Sequence, residues 1–335
     1  MRLVIATPLY PPEIGGPATY AKLLEEGLPG KGIEVELVKF SEVRHLPKII
    51  RHIAYFRRVL KAARVADAVL ALDPVSVGLP AMKAARRAGK PFLVKIVGDY
   101  AWEQGQQQFG VTASLDEFVK EKKVPFPVRV LRNIQTRVAN NAAHVVVPSQ
   151  YLKRIVMTWG IPETRITVIY NGTELPESIP VPSRPQGFFV VSSGRRVPWK
   201  GFEAIERVVA REPGWHFALL QGLPRVEVLS RMRVADAFVI NSTYEGLSHA
   251  LIEAMMLAVP VVATSVGGNV ELIEDGKTGL LVPPGDDEAL HRALKRIADD
   301  PTSAKARAKA ALERAQGLFS VEAMLMRTNA LLKSL

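Results

Sequence analysis

The chain has 335 residues, of which 48% are hydrophobic and 23% charged, with 44 Lys and Arg against 33 Asp and Glu for a net charge of +11. This is a globular composition too long for one ordinary core, so length suggests two domains. The lack of cysteine excludes disulfides and thiolate chemistry, and six scattered histidines, none in a close pair, argue against a structural metal site. The basic excess bears on partners rather than fold: anionic small molecules, anionic lipid surfaces and nucleic acid.

The opening "MRLVIATPLYPP" runs straight into a strand-like segment without a signal-peptide pattern, so a cytoplasmic location is expected. Short β-branched runs then alternate with helical patterns. The first half offers strands at 2–7, 33–39, 68–72, 91–98, 144–149 and 166–171, and the second at 188–194, 216–222, 237–242, 260–266 and 279–285. Such alternation predicts parallel sheets, and continuous apolar runs predict strands covered on both faces. The segment "NGTELPESIPVPSRPQG" (171–187) carries four prolines and no periodicity, and reads as a linker. The expected order is therefore an N-terminal domain over 1–170, the linker over 171–187, a C-terminal domain over 188–318, and a final helix over 319–335 packing back on the first domain. Both domains are expected to be doubly wound α/β units around a cleft, with ligands at the carboxyl ends of the strands. Residues 99–127 read as a long irregular insertion at a strand end, where long loops are often functional. The longest uncharged stretch, Ala254 to Val270, is shorter than the roughly 20 apolar residues that span a bilayer and contains Pro260, so no transmembrane helix is predicted.

Four loops at predicted strand ends carry residues suited to chemistry. In "TPLYPPEIGGPATYA" (7–21), Gly15 and Gly16 precede Pro17, a favoured first helical residue. They either let the backbone approach an anion at a helix N-terminus or serve a tight turn. In "SSGRRVPWKGFEAI" (192–205), Arg195 and Lys200 flank a turn. A guanidinium fork and a point charge suit a diphosphate; as solvated surface cations they need no ligand. In "YEGLSHALIEAM" (244–255), the N–H groups of Gly246 to Ala250 are expected to face the strand end, as phosphate binding requires. Glu245, before the helix, is placed to accept from sugar hydroxyls, and Glu253 lies one to two turns in, where it suits the other end of an extended ligand. Acids near a helix N-terminus are also simply stabilised by the dipole. In "ATSVGGNVELIEDGKTGLLV" (263–282), Gly267 and Gly268 form a second close-approach loop in the same half.

Together, "PPEIGGPATYA", "GRRVPWKGFE", "VIYNGTE" and "YEGLSHALIEAMMLAVPVVATSVGGNVELIEDGKTGLLVPPGD" resemble the retaining glycosyltransferases of family four. The resemblance covers nearly the whole chain. It implies the GT-B fold, two Rossmann-like domains facing a cleft, the first on the acceptor side and the second binding the nucleotide-sugar. It implies metal-independent, hexosyl-type transfer from a UDP- or GDP-sugar with retention at the anomeric carbon, with no bound cofactor. By the same resemblance Arg195 and Lys200 hold the donor diphosphate, with the backbone of Gly246, Leu247 and Ser248 facing the phosphates. Glu253 holds the ribose, Glu245 lies near the donor sugar, and the loop of Gly15 and Gly16 approaches diphosphate and acceptor. The acceptor is a sugar, a lipid-linked molecule or a small molecule.

Two departures stand out. Where the family often carries a histidine after the fourth N-domain strand, this chain reads "KIVGDYAWEQ", with Asp99 the nearest polar substitute for a catalytic role. Tyr100, Trp102 and Glu103 are candidates for an acceptor wall, with core packing the alternative for Trp102. Second, "GLPRVEVL" directly follows "WHFALLQ", so one strand–helix unit of the C-terminal domain is expected to be missing from the wall of the base pocket. That shortening keeps open a non-catalytic reading, a nucleotide-binding module or minimal GT-B scaffold without turnover. An epimerase of the same fold fits the cation pair and the Glu-to-Glu helix less well. Finally, the basic segment 44–67 sets Ile49, Ile50, Ile53, Phe56, Val59 and Leu60 on one helical side against Lys48, Arg51, Arg57, Arg58, Lys61 and Arg64. Such a helix suits an anionic membrane surface on the cytoplasmic face, or else packs on the sheet with a solvated basic side. No nucleic-acid-binding module is recognised, and no nucleic-acid partner is expected.

Overall fold

A computed structural model describes residues 1–13 and 15–335; the side chain of Lys48, assigned above to the cationic face of 44–67, lies outside the described residues. The chain forms two compact units, Met1–Tyr170 with Met324–Leu335, and Asn171–Ala323.

The first unit holds a six-stranded parallel sheet of β1 (Arg2–Thr7), β2 (Glu34–Lys39), β3 (Ala68–Ala71), β4 (Phe92–Lys95), β5 (His144–Val147) and β6 (Ile166–Val168), in the order β2-β1-β3-β4-β5-β6. The short central strands β3 and β4 are buried along their whole length, which is why they read as unbroken apolar runs. Covering helices are α1 (Gly16–Gly27), α2 (Lys48–Ala63), α3 (Gly78–Ala88), α4 (Tyr100–Gln108), α5 (Leu115–Phe118), α6 (Phe126–Asn140) and α7 (Gln150–Met157). Strand order reverses direction between β1 and β3, the switch point of a doubly wound sheet.

Two expectations need correction here. The stretch 99–127 is not irregular. Asp99 caps α4 by accepting from Trp102 N at 2.9 Å, and Ser114 with Glu117 forms a capping box on α5. The basic helix is shorter than 44–67, because Pro47 stands at its N-cap and the chain leaves α2 after Ala63. Only part of its apolar side is packed: Tyr55 and Val59 are fully buried, whereas Ile49, Ile50 and Ile53 are 77%, 53% and 48% exposed.

The second unit holds β7 (Phe188–Ser193), β8 (Trp215–Leu220), β9 (Ala237–Ile240), β10 (Val261–Thr264) and β11 (Leu280–Val282), all parallel, in the order β11-β10-β9-β7-β8. Its helices are α8 (Phe202–Val209), α9 (Arg225–Arg233), α10 (His249–Met256), α11 (Asn269–Leu272), α12 (Asp287–Asp299) and α13 (Pro301–Leu318). Val190, Phe202, Ile205, Val239, Leu290 and Leu294 belong to one buried cluster between this sheet and its helices. Here the switch point lies between β7 and β9. The segment 171–187 has no helix or strand but is tied to this unit: Arg184 forks onto Asp236 at 2.6 and 3.0 Å, and Ser230 Oγ donates to Pro180 O at 2.8 Å.

The last helix, α14 (Val321–Lys333), belongs from Met324 onward to the first unit. There Leu325 fills the space over Gly27, where a Cβ would sit 2.2 Å from its Cδ1. No helix among the described residues is long and apolar enough to cross a membrane.

Candidate functional site

The loops after β7 and β9 meet at the switch point of the second unit. After β7 the chain turns through Gly194–Lys200, and Gly201 takes φ 62° to enter α8. That position admits only glycine, because an added Cβ would lie 2.4 Å from Asn241 O. Thr243 N donates to Trp199 O at 2.8 Å, so the two loops are joined through their backbones.

This junction brings Lys200 to Glu245. Lys200 Nζ donates to Glu245 Oε1 at 2.6 Å, and Ser242 Oγ donates to the same oxygen at 2.6 Å. Both members of the pair are largely buried, with side chains 17% and 9% exposed. Water screens such a pair little, so it is held at a defined place. The support lies below it. Gly268 N donates to Glu245 O at 2.9 Å, and Gly267, at φ 52°, leaves no room for a Cβ, which would fall 1.9 Å from that same oxygen. Thr264 Oγ1 reaches Ser242 O at 2.5 Å. The glycine pair after β10 therefore carries the Glu245 loop, and its role is packing against that loop's backbone.

Gly246, Leu247 and Ser248 are buried and lead into α10, whose N-cap Ser248 accepts from Leu251 N at 3.3 Å. Glu253, in the middle of α10, accepts from Arg225 Nε at 2.7 Å. Arg225 Nη2 also donates to Glu174 O at 2.7 Å and Thr173 Oγ1 at 3.2 Å. Arg195 is exposed on the β7 loop and has no ion-pair partner among the described residues, while its neighbour Arg196 pairs with Glu203 at 2.9 Å. The second unit thus presents two carboxylates, each already held by a cation of its own chain, and on the β7 loop the exposed guanidinium of Arg195, without an ion-pair partner among the described residues.

The remaining candidates lie in the first unit. Gly15, at φ 153°, is the N-cap of α1, followed by Gly16 and Pro17. Asp99 is buried, and desolvation raises its pKa, countered by the hydrogen bond from Trp102 N. Its capping bond gives it a structural task. Trp102 is 2% exposed and donates from Nε1 to Ala113 O at 2.8 Å, so it belongs to the core. Tyr100 instead lines a cavity.

Sequence reasoning missed two participants and one buried cation outside the site. Ser242 sits three residues before Glu245 and has a local signal. Arg225 has none, since its partner is 28 residues away on another helix. Lys95 lies inside an apolar strand and ends 3.7 Å from the centre of the Tyr20 ring, buried and without a hydrogen-bond partner among the described residues.

The comparisons with known proteins agree with this architecture. A family model described as a glycosyl transferase 4-like domain matches residues 4–172, and one described as glycosyl transferases group 1 matches residues 202–314. The chain belongs to the glycosyl transferase 4-like family. It is 33% identical over 158 residues to the lipopolysaccharide core biosynthesis glycosyltransferase LpsE of Rhizobium meliloti. That match covers 40% of this chain and 46% of LpsE, so less than half of the relative's length is spanned. Sucrose-phosphate synthase from Thermosynechococcus elongatus superposes with a TM-score of 0.78 at 19% identity, covering 99% of this chain and 98% of that one. HepE from Anabaena, solved in complex with UDP-glucose, gives 0.79 at 18% identity over 100% of both chains. At such identity these structures establish the glycosyltransferase fold, GT-B, for this family member.

Proposed function

We propose that this chain transfers a sugar from a nucleotide-diphosphate sugar to an acceptor, with retention at the anomeric carbon and without a metal. The observation that carries the reading is the Lys200–Glu245–Ser242 cluster at the carboxyl ends of β7 and β9. Such a place is where doubly wound sheets take their ligands. On this reading Lys200 and the unpaired Arg195 receive the diphosphate, and the N–H groups entering α10 at Gly246 to Ser248 add to the positive field. Charge builds on the nucleoside diphosphate as it leaves, and fixed cations stabilise it as it develops, in the place a metal takes elsewhere. Glu245, released from Lys200 by the incoming phosphate, then faces the sugar. HepE was solved with UDP-glucose, so UDP is the first nucleotide to try.

Calorimetric titration of UDP, GDP and ADP without metal, on the wild type and on Lys200→Ala, tests the reading. One nucleotide is expected to bind the wild type and to lose about tenfold or more in the variant, the scale of a lost charge-assisted contact of roughly 1.5–3 kcal/mol. No binding of any of the three would overturn it.

Glu253 is proposed to hold the ribose, which requires Arg225 to let go. A part-exposed ion pair is worth about 0.5–1 kcal/mol. Arg225→Ala is therefore expected to tighten nucleotide binding by about two- to fivefold, and to change nothing in a Glu253→Gln background. Equal weakening in both backgrounds would instead assign Arg225 to the phosphates.

The second sheet ends at β8, whose residues are mostly part-exposed. We take this edge as the place where one strand–helix unit is missing, leaving the nucleobase side open. We also assign the exposed isoleucines and basic residues of α2 to contact with an anionic membrane surface. A hexosyl donor is the expected sugar.

A further inference from the structure

At the carboxyl ends of β2, β3 and β4, between α2 and α3, the first unit holds a cavity of about 710 Å³ that opens to the surface. That is within the roughly 300–1,000 Å³ typical of small-molecule sites. Its walls are Phe40, Ile53, Phe56, Leu79 and Ile134, and Arg51 and Lys83 also line it. No Asp or Glu lines it among the described residues. Arg51 lies over the Phe40 ring, its guanidinium carbon 5.7 Å from the centre, and its buried Nε has no hydrogen-bond partner among the described residues. Lys83 is exposed at the rim, with no ion-pair partner among the described residues. Ile49 also lines the cavity and is 77% exposed, so the apolar surface continues outward from the wall.

Apolar surface of this extent in water costs free energy in proportion to its area, and neither lining cation has an ion-pair partner among the described residues. One ligand class relieves both: a hydrocarbon chain against the apolar walls with an anionic head on the cations. Phosphate suits the pair, since Arg offers a planar fork and Lys a point charge. We infer that this cavity binds a single-chain amphiphile with a phosphate head, its chain between α2 and α3 and its phosphate on Arg51 and Lys83. Binding follows from the cavity alone; that the occupant is the acceptor rests on the glycosyltransferase reading above.

The test is calorimetry on the full chain with dodecyl phosphate, below the concentration at which it forms micelles, beside dodecanol and inorganic phosphate. One-to-one binding of dodecyl phosphate is expected, with dodecanol at least tenfold weaker and inorganic phosphate alone undetectable. Leu79→Trp and Ile134→Trp fill the cavity from two different helices, α3 and α6, and each is expected to weaken dodecyl phosphate at least tenfold; Arg51→Gln is expected to do the same through the head. Melting curves of each variant report whether the first unit is still folded, and UDP titration reports whether the second is intact. Absence of dodecyl phosphate binding to the wild type overturns the inference while UDP binding leaves the donor reading standing. Equal binding to wild type and both tryptophan variants also overturns it, and if these proteins cosediment equally with anionic phospholipid vesicles, the source of binding is the surface of α2. Dodecyl phosphate binding without UDP binding keeps the site and removes its role as acceptor site.

Discussion

Glu245→Gln is expected to lower sugar-transfer turnover by about 10²–10³-fold, the scale on which a single preorganised electrostatic contact acts, while leaving UDP affinity unchanged or higher. The split follows from the geometry. Lys200 and Ser242 both donate to one oxygen of Glu245, at 2.6 Å each, in a place where the pair is mostly removed from water. Glutamine keeps an oxygen for both donors, so the loop retains its shape. What it loses is the negative charge. Lys200 then meets an incoming diphosphate without a competing carboxylate, and nucleotide binding does not suffer. Turnover suffers because the sugar carbon gains positive charge as the diphosphate departs, and a carboxylate beside it stabilises that charge. A merely structural Glu245 predicts the opposite pattern, with affinity, turnover and melting temperature falling together. Turnover equal to the wild type would remove Glu245 from the site.

The fold was legible because each central strand is buried on both faces and so must be apolar without interruption. The runs ending near Ser193 and Ile240 announce β7 and β9, and with them the loops that carry Lys200 and Glu245. Gly201 and Gly267 mark close backbone approaches, which a sequence can declare because no other residue fits there. What no local pattern declares is pairing across elements. Arg225 reads as one more charge at a helix start, yet it covers Glu253 and ties down residues 173 and 174. The packing of α2 is hidden from the sequence for a related reason. Helical periodicity registers which side chains share a side, and Ile49, Ile50 and Val59 do so, but only tertiary packing decides that Val59 is buried while the two isoleucines are not. The helices within 99–127 were missed because α5 is a single turn, specified by its capping box rather than by an apolar stripe.

Lys95→Met is expected to stabilise the chain against unfolding by about 2–4 kcal/mol at pH 6, with the gain shrinking as pH rises. Lys95 ends β4 with 2% of its surface exposed, and burial pushes its pKa down from 10.5 to about 7. Below pH 7 the ammonium stays charged in both folded and unfolded chains, so the full cost of burying it falls on the fold. That shift corresponds to about 4–5 kcal/mol, of which the Tyr20 ring returns up to roughly 2 through its cation–π contact. Between pH 7 and 10.5 the folded chain has released the proton and the unfolded chain still holds it. The unfolded state then binds more protons, and wild-type stability climbs with pH. Methionine has no proton to exchange, so its advantage must narrow across that window toward the smaller cost of an unpaired neutral amine. Melting curves of both proteins at pH 6, 7.5 and 9 measure it. A gain that does not change with pH would mean that Lys95 keeps its proton in the folded chain, as in the unfolded one, across the whole window. A loss at pH 6 would mean that its ammonium is satisfied in the folded chain, and that the Tyr20 face, 3.7 Å from Nζ, is a stronger partner than burial is a penalty.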